Sequence, residues 1–283
     1  MIKVTFLCCW GESTSALFHR YKLQSPGSAG VWDNIVGVDN VNDADYYIIM
    51  EDFYEKKKLD PAKKIYIKRE PPWIVRTSFG NKPSLYKFDY TNGYWCATWW
   101  VKKTYDELKI LQNKTNKKKI CCINSGAEVC AGHRKRIAFL KRISQIEGLD
   151  IDIYGRGLQD KGLGDKYKGT CLDKYDIMSQ YEYSIVMENG EMDNYFTEKL
   201  ADSFLSWSVP IYWGCTNMDS YFPKDSYRSI DISIDSGDKI LSMIEKSPDE
   251  NSLLAVQKAR DLILDKYNIW PSVARIVNEG KMI

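Results

Sequence analysis

The chain has 283 residues, with 40 Lys and Arg against 38 Asp and Glu, and its formal net charge is +2. That length supplies cores for two domains. A balance this near neutral excludes a partner chosen by bulk charge, so neither nucleic acid nor an anionic membrane surface is expected. No apolar run reaches membrane-spanning length. The opening MIKVTFLCCW is apolar but too short for a signal peptide. The expectation is a soluble, cytoplasmic protein with no membrane-spanning segment and no Golgi-type stem or anchor.

The 19 Tyr and 9 Trp suit stacking on sugar rings and equally suit a core. The 8 Cys include the adjacent pairs Cys8-Cys9 and Cys121-Cys122, both in strand-like runs. Neighbours in a strand point to opposite faces and do not pair readily. There is no C-x-x-C, and His19 and His133 are the only histidines. Reduced, buried thiols are expected, and no structural zinc.

Taken in order, Ile2 to Cys9 reads as a buried strand, followed by a polar loop over Trp10 to Ser15. Tyr46 to Met50 reads as a second strand and Lys64 to Lys68 as a third, ending at Arg69-Glu70-Pro71-Pro72. The prolines stiffen the exit from Glu70. A carboxylate held this way can act as a general base. Aromatic-rich turns over Tyr86 to Tyr94 lead to a helix through Tyr105, Leu108 and Leu111. Asn113 to Lys119, NKTNKKK, has no apolar residue and reads as a linker.

Lys119 to Asn124 begins a second set of elements, and a helix follows with Ile137, Leu140 and Ile143 at core spacing. Its start carries Arg134, Lys135 and Arg136. Cations there oppose the helix dipole, so an anionic partner is expected. Asp150-Ile151-Asp152 has the D-x-D form of a metal site, but strand alternation over Ile151 to Tyr154 explains it, and no metal is assigned. Tyr183 to Met187 reads as a buried strand broken by turn residues Glu188-Asn189-Gly190. Thr197 caps a helix carrying Leu200, Ala201, Phe204 and Trp207, and Val209 to Gly214 is the next strand. Glu188, Asn189, Tyr195, Glu198 and Lys199 thus gather where a strand ends and a helix begins, the place where open α/β sheets bind ligands. Arg228 to Ser233 reads as a strand. Ser247-Pro248-Asp249-Glu250 reads as a capping box opening a helix.

Three blocks carry a family resemblance: Met187-Glu188-Asn189, Tyr195-Phe196-Thr197-Glu198-Lys199-Leu200 with Asp202, and Val209-Pro210-Ile211-Tyr212-Trp213-Gly214. In order and spacing they resemble the α1,3/α1,4-fucosyltransferases, glycosyltransferase family 10. Their pattern is FEN-x(5)-Y-[VF]-TEK-[IL]-x-[DN]-x(6)-VP-[IV]-Y-[WF]-G, and Met187 stands where an aromatic is usual. Arg136-Ile137-Ala138-Phe139 resembles the family's R-x-A-F, whose Arg contacts the nucleotide diphosphate. Glu70 is the match to the family's catalytic base.

The resemblance implies an α/β fold of GT-B type, with two Rossmann-like domains facing across a cleft. Residues 1–113 would bind acceptor, 119–265 would bind GDP-fucose, and 266–283 would pack back on the first domain. It implies an inverting transferase that moves L-fucose from GDP-fucose to a glycan hydroxyl, in α1,3 or α1,4 linkage to a GlcNAc- or Glc-type sugar. Glu70 would be catalytic, and Arg136, Asn189, Tyr195, Glu198 and Lys199 would bind the donor. No cofactor is obligatory on this reading, and a divalent ion would at most stimulate. The alternatives are a transferase or hydrolase of another GDP-sugar, and a non-catalytic GDP-sugar or carbohydrate-binding protein. Glu12, Glu51 and Asp52 are the next candidates for the base.

Overall fold

The computed structural model describes residues 1–51, 58–73, 82–89, 91, 93, 97–235 and 237–280. Asp52, Tyr90, Tyr94 and Cys96 therefore lie outside the described residues. The chain is α/β and divides into two compact units: Met1–Thr98 with Lys103–Ile110 and Leu264–Ile283, and Trp99–Lys102 with Leu111–Ile263. Each is built on a largely parallel sheet.

The first unit opens with β1 (Ile2–Cys8) and α1 (Thr14–Lys22), whose start is capped by Ser13 Oγ accepting the Ala16 N–H at 3.1 Å. Two short strands follow, β2 (Val31–Trp32) and β3 (Ile35–Gly37), then β4 (Tyr46–Met50), β5 (Lys64–Ile67) and β6 (Tyr86–Phe88). Their order is β2-β3-β1-β4-β5-β6, parallel except for the β2–β3 pair. Tyr46–Met50 is thus the fourth strand, not the second. β2 and β3 span only two and three residues, too few to show a period of two. β4 and β5 are apolar almost throughout, as strands covered on both faces must be. Helix α2 (Tyr105–Ile110) completes the run.

The second unit holds β7 (Lys118–Ile123), α3 (Ala131–Ser144), β8 (Ile151–Tyr154), α4 (Lys174–Met178), β9 (Tyr181–Met192), α5 (Glu198–Leu205), β10 (Val209–Cys215), β11 (Arg228–Ser229), α6 (Gly237–Ile244) and α7 (Glu250–Leu262). Its sheet is parallel throughout, in the order β11-β10-β9-β7-β8. β10 is buried at every position. Pro210, which has no N–H, lies one residue ahead of the ladder to β11 that starts at Ile211.

Four local expectations change. Glu188-Asn189-Gly190 does not end the strand, because β9 runs on to Met192. Trp207 lies beyond α5, in left-handed backbone at φ 58°. Arg228 to Ser233 is a strand for only its first two residues. The cap of α7 is Asp249, which accepts the Ser252 N–H at 2.9 Å, while Ser247 donates to Glu182 at 2.8 Å.

After α7 the helix widens into a π segment, Ile263–Tyr267, and Asn268 caps α8 (Ile269–Glu279). From Leu264 onward this stretch belongs to the first unit. There Trp270 is fully buried, donates Nε1–H to Tyr21 O at 2.8 Å and meets Phe6 edge-on at 5.5 Å. Among the described residues, Cys8, Cys121, Cys122, Cys130, Cys171 and Cys215 are free thiols, and no helix is long and apolar enough to cross a membrane.

Candidate functional site

The site in the second unit is organised by an irregularity in the β9–β10 ladder. Met187 pairs with Trp213, and the next pair is Met192 with Cys215. Glu188 to Glu191 therefore stand opposite Gly214 alone, a large bulge at the carboxyl end of the sheet. Gly214 is required there, because a Cβ on it would lie 2.4 Å from Glu188 Cγ.

Glu188 is fully buried. Its carboxylate accepts the Thr197 N–H at 2.9 Å and the Thr197 hydroxyl at 2.7 Å, and Lys199 Nζ lies 3.3 Å away. Thr197 is also the N-cap of α5, accepting the Lys199 N–H at 3.3 Å. Burial raises Glu188 above the usual carboxylate range, with Lys199 and Thr197 opposing. Lys199 Nζ also reaches Glu198 Oε1 at 3.1 Å and Thr197 Oγ1 at 3.0 Å. Burial works against its charge, but Glu198 and Glu188 together outweigh that, and its pKa stands above the ordinary value.

Helix α3 brings the next set. Gly132 in its first turn packs on the backbone of β9: a Cβ there would lie 1.8 Å from Asn189 O. That contact sets His133 Nε2 3.1 Å from Asn189 Oδ1. Burial, then the nearby Arg136 charge, lowers the His133 pKa and favours the neutral ring. Arg136 is 2% exposed and donates Nη1–H to Met187 O at 3.2 Å. Its Nε and His133 Nδ1 are buried with no hydrogen-bond partner among the described residues. Burial lowers the Arg136 pKa, offset by Glu188 and Tyr195. Tyr195 is fully buried, and its carbonyl accepts the Tyr212 hydroxyl at 3.3 Å.

The structure thus brings Arg136, Asn189, Tyr195, Glu198 and Lys199 together in one unit. Glu70 lies in the other, half-buried just past β5. Glu188 was expected at this strand end but with no part in holding the donor, and His133 was not expected as a site residue. Glu188 stood inside the motif and was visible as a polar residue in an apolar run. His133 offered only its rarity and its place three residues before Arg136. Asp202, also fully buried, works away from the site: it accepts the N–H groups of Trp100 at 2.7 Å and Val101 at 3.2 Å and pairs with Lys174 at 2.6 Å. The Asp152 carboxylate is held by the Tyr181 hydroxyl at 2.6 Å, Lys118 at 3.0 Å and Lys168 at 3.4 Å. Among the described residues no group of three or more His, Cys, Asp and Glu is placed to hold a metal.

A parallel sheet with polar side chains at its strand ends and cations at a helix start defines an α/β domain of the Rossmann-like class. Residues 113–247 match the family described as glycosyltransferase family 10 (fucosyltransferase), C-terminal. That match takes in 135 of the 283 residues, just under half of the chain. It is 29% identical over 126 residues to GDP-fucose protein O-fucosyltransferase 3 of Danio rerio, covering 43% of this chain and 27% of that protein. It is 30% identical over 95 residues to the alpha-(1,3)-fucosyltransferase FucT of Helicobacter pylori, covering 34% and 18%. The matched stretches thus span about a quarter or less of these relatives' lengths. An alpha1,3-fucosyltransferase crystallised with GDP aligns over 95% of this chain and 92% of its own, at 15% identity and a TM-score of 0.47.

Proposed function

We propose that the protein is an inverting glycosyltransferase that moves L-fucose from GDP-fucose to a sugar hydroxyl. The observation that carries this reading lies within the family 10 segment. The Arg136 charge opposes that of Lys199, and both cations are favoured by the buried Glu188. A diphosphate placed there relieves that repulsion and supplies a partner for the buried Arg136 Nε.

The chemistry then assigns roles. As the bond from the anomeric carbon to the diphosphate breaks, negative charge grows on the phosphate oxygens. Arg136 receives it as a planar fork and Lys199 as a point charge. Glu198, at the first position of α5, accepts the ribose hydroxyls, as an acid does in dinucleotide sites. Asn189, oriented by His133, and Tyr195, from beneath, position the donor. The sugar carbon becomes oxocarbenium-like, and the acceptor hydroxyl attacks the face opposite the leaving group. Glu70 takes the proton of that hydroxyl, a step worth ~10²–10⁴-fold in rate. We assign the acceptor to GlcNAc- or Glc-type glycans, in α1,3 or α1,4 linkage. Relatives named for protein O-fucosylation make a protein hydroxyl the competing result of an acceptor array.

The test is GDP release from GDP-fucose with and without acceptor. Acceptor-dependent release, lost in Glu70→Gln with GDP affinity unchanged, supports the reading. Release independent of acceptor marks a hydrolase. Binding with no release marks a carbohydrate- or nucleotide-binding protein.

A further inference from the structure

We propose that Glu51 is the positioning residue for Glu70: its buried carboxylate holds the backbone from which Glu70 projects. The inference rests on the reading of Glu70 as base.

Glu51 follows the last residue of β4, and its backbone N–H donates to Ile67 O at 2.9 Å, closing the ladder to β5. Its side chain then extends that ladder past the end of β5. Glu51 Oε1 accepts the backbone N–H of both Arg69 and Glu70. Pro71 has no N–H to offer, and with Pro72 it limits the backbone on the far side of Glu70. Glu70 is therefore fixed on one side by a carboxylate and on the other by prolines, and the direction of its Cα–Cβ bond is set.

Three costs are met at this one position. Glu51 has left-handed backbone, φ 65°, which a side chain disfavours. It is 2% exposed, so its charge is largely stripped of water. Glu70 adds a like charge. Burial pushes the Glu51 carboxyl up to about 7, with the Glu70 and Arg69 N–H groups opposing. An asparagine or glycine would close the turn with less strain and no buried charge. A costly residue held against these alternatives is what a functional constraint on the turn predicts. Arg69 is anchored beside it, with Nη2 3.3 Å from Thr98 Oγ1 and its guanidinium 5.9 Å from the Trp10 ring centre.

The experiment compares Glu51→Gln, which keeps an acceptor oxygen, with Glu51→Met, which fills the same space and keeps none. Each is made alone and with Glu70→Gln. Transfer is followed with GDP-fucose and an acceptor chosen from a glycan array. Glu51→Met should lower kcat about ten- to a hundred-fold, the scale of a catalytic group moved by an ångström or less. Its GDP affinity should not change, and Glu51→Gln should keep most of the transfer. In the Glu70→Gln background, Glu51→Met should cost nothing more, because the group it positions is already gone. If the two losses multiply, or if Glu51→Met transfers like the parent, the positioning role is overturned while Glu70 can still stand as base. If Glu70→Gln transfers normally, the base reading fails, and the role of Glu51 through it fails too. Should Glu51→Met not fold, Glu51→Gly replaces it with the same expectations.

Discussion

Thr197 holds Glu188 with both of its donors, the backbone N–H at 2.9 Å and the hydroxyl at 2.7 Å. One residue thereby caps α5 and satisfies the buried acid of the β9 bulge. Thr197→Val keeps the shape and loses the hydroxyl. It should destabilise the protein by about 1–2 kcal/mol through the lost cap. GDP affinity should fall as well, because Lys199 loses a fixed neighbour. Denaturant unfolding and calorimetric GDP titration read the two effects separately. Unchanged GDP binding would show that Thr197 serves only the helix.

Donor selectivity tests the proposed function, because the preference for guanosine comes from the family resemblance and not from the diphosphate cluster. GDP and GDP-fucose should raise the melting temperature, since a ligand that binds only the native state stabilises it. UDP and CMP should do little. Lys199→Ala should weaken GDP binding by about 1.5–3 kcal/mol, the scale of a charged hydrogen bond. Equal stabilisation by UDP would remove the guanosine claim.

Asp152 should behave as a structural acid. Its pKa is lowered: burial works against ionisation, but the Tyr181 hydroxyl, then Lys118 and Lys168, prevail. Asp152→Asn should cost about 1–3 kcal/mol of stability and leave the metal response of turnover unchanged. Transfer should survive excess chelator. Loss with chelator, restored by manganese, would make Asp150 and Asp152 ligands.

Glu51 gives a pH signature. Its carboxyl stands at about 7 in the folded protein against 4.5 as the ordinary value. The folded state therefore holds a proton that the unfolded chain has already released. Below about pH 4.5 both states are protonated and the residue costs nothing. As pH rises through 7 the folded protein loses about 3 kcal/mol from this group. Against Glu51→Gln, the parent should melt at a similar temperature at pH 4.5 and fall progressively below it by pH 8. A gap independent of pH would contradict the shift.

The sequence alone determined the elements whose cause is local. The apolar runs at Tyr46–Met50 and Val209–Gly214, the cap at Thr197 and the core spacing of Ile137, Leu140 and Ile143 each state their conformation within a few residues. The 187–214 motif also carried the family resemblance, through the identity, order and spacing of its residues. Tertiary structure decided what depends on partners far along the chain. Glu188-Asn189-Gly190 has turn composition, yet it lies inside β9, because the ladder to β10 resumes at Met192 and Cys215 beyond the bulge opposite Gly214. Ser247 looked like a cap until Glu182 claimed its hydroxyl. Arg136 is legible as a cation at a helix start that calls for an anionic partner, but its burial and its bond to Met187 O appear only in the packed helix. Glu51 stands in the sequence only as a reserve candidate for the base, with no sign of a positioning role. Its burial, its left-handed backbone and its hold on Glu70 exist only once β4 and β5 lie side by side, since burial and hydrogen bonding act through space and not along the chain.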